Sequence, residues 1–219
     1  MTHEMHPLTA REQARRVTAA WQRIDAWLTQ HAPASAALLR PGASDSNIAS
    51  AEAAIGYELP PGLAACYRVH DGVDEGEGSG ILPSGKTMLP LEQLVEVYRE
   101  HQEWNEEERD MRGLLPFAQP PGDFWSGWHT SARKDDPAYG RLGKWAVDDE
   151  DEPYPYGSDG WPLHEWLEEM AAALEQGRPL TTPDGTVEVW SRPALYRGGL
   201  EWVDPRNMIV DAQLLDGPG

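Results

Sequence analysis

The chain has a single cysteine, Cys66, so no intramolecular disulfide can form. Phenylalanine is nearly absent, with two copies against ten tryptophans, which leaves the indoles to supply much of the aromatic packing. Basic residues are scarce: 18 Lys and Arg stand against 37 Asp and Glu, for a formal charge of −19. That balance argues against binding nucleic acid or an anionic membrane through bulk electrostatics and suits a basic protein partner; acidity as a solubility device is the bland alternative. No stretch approaches the ~18 apolar residues of a transmembrane span, and the opening MTHEMHPLTARE lacks the apolar core of a signal peptide, so a cytoplasmic location is expected. No Gly-x-Ser-x-Gly elbow and no internal repeat occur.

What is present is an ordinary 40% hydrophobic content broken by 19 prolines and 21 glycines, in a chain of 219 residues long enough for a substantial core. Charge is uneven. Residues 1–40 hold five arginines against Glu4, Glu12 and Asp25, a net of +2, so the remainder carries −21. Thr9 and Glu12 fit a capping box opening a helix, with Val17, Trp21, Ile24 and Leu28 spaced to form one apolar stripe that packs on the body of the protein.

The rest is organised around residues 47–72. Ile48, Ala51 and Ile55 recur at helical spacing, and Gly56 stands where a left-handed cap needs a residue without a Cβ. Leu59-Pro60-Pro61 sets an extended turn, and Pro61 suits the first turn of a second helix carrying Leu63, Cys66 and Tyr67 and stopped by Asp71-Gly72. A sharp helix corner follows.

Glu52, Ile55-Gly56, Leu59-Pro60, Tyr67 and Asp71-Gly72, in this order, resemble the N-terminal signature of the SUKH superfamily. That group includes fungal cell-wall-synthesis regulators of the Smi/Knr type and many bacterial immunity proteins. Residues 115–118, Gly122-Asp123, residues 140–145 and a helix from about Pro162 continue the resemblance to about residue 176. It implies an α+β fold: a single SUKH-like domain with a mostly antiparallel twisted sheet packed by helices. It also implies protein recognition without catalysis, in many bacterial members neutralisation of a toxin, often a nuclease. The expected divisions are an N-terminal helix and linker (1–40), the core domain (41–177) and a C-terminal β extension (178–219).

Elsewhere, residues 71–80 read as a solvated acidic glycine-rich loop, and residues 81–83 as a short strand. An amphipathic helix is expected from residue 88 to about 103. Strands are expected at 114–118, 123–130 and 140–147, and a helix from about Pro162 to a Gly177 cap, with Glu165, Glu168 and Glu169 solvated on its outer face. Strand 123–130 places Trp125 and Trp128 on opposite faces, so it is either covered twice or presents an indole to a partner. Residues 186–190 and 200–203 read as edge strands or a hairpin beside the main sheet.

The search for chemistry yields little. Cys66 and His70 share a helix face as a possible nucleophile and base, but that face is the one expected in the core. The acidic loop fails as a calcium site at Val73, and no cofactor, metal or catalytic residue is assigned. The expected partner-binding residues are Trp125 and Trp128 as aromatic anchors, with Asp148, Asp149, Glu150, Asp151 and Glu152 as the field that attracts a basic protein. Docking of a regulatory partner on the N-terminal helix through Trp21 and Trp27 is the alternative.

Overall fold

Thr9 accepts a hydrogen bond from the Glu12 amide (3.3 Å) while Glu12 accepts one from the Thr9 amide (2.9 Å), closing the capping box that opens α1 (Ala10–His31). In this computed structural model, which describes residues 8–103, 110–122, 126–146, 154–155, 160–188, 191–204, 206 and 211–215, the stripe Val17, Trp21, Ile24 and Leu28 of α1 is buried. Each such side chain contributes about 1.5–3 kcal/mol of burial free energy. The stripe packs on α4 (Pro61–Val69) and α6 (Leu163–Gln176).

The corner forms as its residues dictate. The helix α3 (Asp45–Ile55) is capped by Ser44 and ends at Gly56, whose φ of 83° an L side chain would resist. Pro61 begins α4. Glu52 accepts from the Leu59 amide (2.9 Å), which pins the turn between the two helices. Tyr67 donates to the Leu89 carbonyl (2.9 Å), and Asp71 accepts from the Leu91 amide (3.0 Å) at the start of α5 (Leu91–Glu103). The residues that carry the resemblance are therefore scaffold: three of them spend their polar groups holding backbone.

The main sheet is antiparallel, in the order β1 (Thr87–Met88), β2 (Leu114–Gln119), β3 (Ser126–Ser131), β4 (Arg141–Ala146). Two short strands, β5 (Tyr154–Pro155) and β6 (Trp161–Pro162), both pair with β4. This is an α+β fold. Strand β3 is central and covered on both faces: Trp128 packs on Trp166 of α6 with ring centroids 5.9 Å apart, and His129, on the other face, is buried as well. On that second face Trp145 of β4 meets His101 of α5, centroids 4.3 Å apart.

Three expectations are corrected. Residues 81–83 do not form a strand; Leu82 and Lys86 bridge across a 3₁₀ turn at Pro83–Gly85. The C-terminal hairpin forms with its first strand shifted: β7 (Arg192–Tyr196), rather than residues 186–190, pairs with β8 (Gly199–Val203) and with β9 (Gln213–Leu214) in a separate sheet ordered β8-β7-β9, while Val187 only bridges to Thr181. The acidic loop is not simply solvated. Val73 bridges to Leu39, and Gly78 and Ser79 are buried, leaving residues 74–77 exposed. Ser35, in the short helix α2 (Pro33–Ala36), donates to the Gly78 carbonyl (2.6 Å) and accepts from the Leu200 amide (2.9 Å), while Trp202 donates to the Ile81 carbonyl (2.8 Å). Loop, α2 and second sheet thus hold one another through contacts that no local pattern reveals.

Candidate protein-binding surface

The helices α1 and α6 are joined by two ion pairs. Arg16 forks onto Glu168 and Arg23 onto Glu175. Both partners advance by seven residues, two helical turns, so the helices run parallel and in register. Arg178 closes similarly on Glu169. The outer face of α6 expected to be solvated is thus substantially paired, and the basic surplus of the N-terminal segment is spent there. These pairs are partly exposed, each worth roughly 0.5 kcal/mol, so they fix register more than they stabilise.

Trp21 and Trp27 are 1% and 8% exposed, which removes them as docking side chains: α1 is part of the core. Trp128, expected as a surface anchor, is 1% exposed and lies between β3 and α6 with the Lys144 ammonium over its ring at 5.4 Å. Trp128 and His129 lie on opposite faces of β3, and coverage of both faces places this indole inside. Trp125, Asp148, Asp149, Glu150, Asp151 and Glu152 lie outside the described residues.

Cys66 and His70 do not form a pair. The Cys66 thiol is buried, which pushes its pKa up to about 12 and keeps it protonated. His70 has both ring nitrogens engaged elsewhere: Nδ1 lies 2.9 Å from the Arg40 carbonyl oxygen and Nε2 lies 3.0 Å from Asp25 Oδ1. A carbonyl and a carboxylate only accept, so this geometry favours the imidazolium form, in which both nitrogens donate. Burial pushes its pKa down, but the hydrogen bonds to Asp25 and Arg40 and the Asp25 charge outweigh it, leaving the pKa raised above 6.5. The Trp21 ring meets the imidazole edge-on at 5.1 Å. This clamp ties α1 to the end of α4 and to the 37–41 connection.

Because the folded pKa is raised, the stability from this clamp is fully present below pH 6.5 and fades as pH rises through the folded value. Asp25→Asn keeps an accepting oxygen and removes the charge. It is expected to lower the His70 titration midpoint, read by NMR, and to cost about 1 kcal/mol at pH 6 after allowance for the partly exposed carboxylate. An unmoved midpoint would mean that Asp25 does not hold the proton.

Among the described residues no group of three or more His, Cys, Asp or Glu side chains is placed to hold a metal ion, and no helix is long and apolar enough to cross a membrane. Two surface grooves stand out among the described residues. One, of about 770 Å³, runs between α1 and α6 and is lined by Ala19, Ala26, Trp27, Leu174 and Leu215 beside the Arg23–Glu175 pair. The other, of about 380 Å³, lies between α3 and α5, where Ala51, Leu91 and Val95 face Asp71, Glu92, Glu96 and Arg99. The second was not singled out in the sequence. Its signal was the recurrence of charged residues at 92, 96 and 99, one stripe of α5 opposite the buried one.

A family model described as the SMI1 / KNR4 family (SUKH-1) matches residues 42–169. A Kluyveromyces lactis protein described as a KNR4/SMI1 homolog is 32% identical over 83 residues, 36% of this chain; the match spans 16% of that relative's length. The α3–α5 groove lies within the family-matched segment, whereas α1, Leu174, Gly177 and Leu215 of the other groove lie outside it.

Proposed function

We propose, from the premise that the chain belongs to the SMI1 / KNR4 family (SUKH-1), that it is a non-enzymatic protein-binding domain acting in the cytoplasm as an immunity protein. Family membership supports a protein-binding or regulatory role. The observation that carries the finer reading is charge: −19 overall, with the few cations near α6 already paired, leaves an acidic surface matched to a basic toxin such as a nuclease. Such a surface occludes a cationic active site and speeds association by electrostatic steering. Buried Cys66 and the fully engaged His70 leave that pair no role as nucleophile and base.

The acidic residues 148–152, with Trp125, are our proposed contact. Reversing the charge of Asp149 and Asp151 is expected to slow association by roughly tenfold at low salt and to flatten its salt dependence, with dissociation little changed. Unchanged association kinetics would move the contact elsewhere. The functional reading itself is tested by co-purifying the full chain with a basic nuclease domain encoded beside it and measuring that nuclease's activity. Loss of activity at equimolar ratio is expected, and full activity at saturating ratio overturns the reading. The description of the Kluyveromyces lactis relative favours a second reading, a regulator or scaffold of the Smi/Knr type without a toxin, for which the same purification would capture a non-toxic partner.

A further inference from the structure

The groove between α3 and α5 exists because small side chains line it. Ala51 and Ala54 stand on the α3 wall, so α5 meets α3 across a gap instead of filling it. Ala51, Leu91 and Val95 are buried and make an apolar floor. Asp71, Glu92 and Glu96 supply three carboxylates at the rim, against the single guanidinium of Arg99 at the far end. Asp71 is turned to the Leu91 amide, and Arg40 reaches Glu92 at 3.4 Å without lining the groove. Glu96 and Arg99 are exposed and make no ion pair among the described residues. Glu92, Glu96 and Arg99 follow one stripe of α5 over about 10 Å, roughly the reach of three extended residues.

An apolar floor beneath a carboxylate rim complements a side chain with an aliphatic stem and a cationic end. We propose, as a deepening of the protein-binding reading and resting on it, that this groove receives a lysine- or arginine-bearing segment of the partner protein. The stem lies along Ala51, Leu91 and Val95, and the cation sits between Glu92 and Glu96. Arg99 disfavours a second cation at the far end and so sets the direction in which a basic segment runs.

The test titrates the isotope-labelled full chain with a blocked Ala-Arg-Ala-Lys-Ala peptide, and separately with its Glu-for-Arg/Lys counterpart, following amide shifts by NMR. Shifts confined to residues 47–54 and 91–99 are expected, with affinity about tenfold weaker in Glu92→Gln/Glu96→Gln and about threefold tighter in Arg99→Gln. All three positions are exposed, so the variants are expected to melt as the parent does. Shifts elsewhere, equal binding of the acidic peptide, self-association through the groove, or affinities that ignore both variants overturn the assignment. The partner capture described above, repeated with Glu92→Gln/Glu96→Gln, separates the two failures. Capture by both proteins alike sinks the groove and leaves the binding reading standing; no capture by the parent sinks the reading.

Discussion

A Gly143→Val variant is expected to lose about 3 kcal/mol or more of stability and to yield little folded protein. A Cβ at Gly143 would lie 2.2 Å from Cε1 and 2.5 Å from Nε2 of the His129 ring, which is laid across this position from the neighbouring strand. The ring cannot step aside cheaply. It is 7% exposed, and its Nε2 donates to the Lys144 carbonyl at 3.2 Å, so expelling it also strips a backbone acceptor. Urea midpoints for Gly143→Ala, His129→Ala and the double variant close a thermodynamic cycle. Removing the ring makes room for the methyl, so a favourable coupling of roughly 1–3 kcal/mol is expected, and additive losses would show that the overlap is relieved some other way.

Acid is expected to destabilise the protein well before its carboxylates titrate. His101 and His129 are held neutral: burial depresses both to about 4, and for His129 the neighbouring His101 adds to the effect. Unfolded, both titrate near 6.5. The unfolded chain therefore binds protons that the folded one refuses, and stability falls as pH drops from 6.5 toward 4. The limit is on the order of 3 kcal/mol for each ring. Melting temperature measured between pH 7 and 4.5 should fall steadily, and His101→Phe should remove part of the slope. A flat profile over that interval would mean that the rings are hydrated when folded. The His70 clamp acts on the other side, since its contribution is complete below 6.5 and declines above it, so the two together place maximum stability near pH 6.5.

The elements set by local chemistry were legible in the sequence. The capping box at Thr9 and Glu12, the Gly56 corner, the proline start of α4 and the Gly177 stop of α6 all depend on a few adjacent residues and formed where expected. The misreadings share another cause. Whether Trp128 met solvent depended on α6, and whether Glu168 was solvated depended on Arg16, 152 residues away. The anchoring of the acidic loop by Ser35 and the second sheet had the same remote origin. The α3–α5 groove was hidden for a subtler reason: alanines at 51 and 54 read as good helix formers, and their smallness matters only once a second helix stands opposite.

The parallel seam between α1 and α6 bears on how the chain matures. Helix α1 packs on α4, which follows it closely in the chain, and on α6, about 150 residues later, so part of the stripe Val17, Trp21, Ile24 and Leu28 stays uncovered until α6 is made. That loop must close before the seam forms, which slows folding and leaves an apolar stripe open to misassociation during synthesis. The arginines along the same helix then do a second service, keeping the waiting segment charged and in solution until its late-made partner arrives.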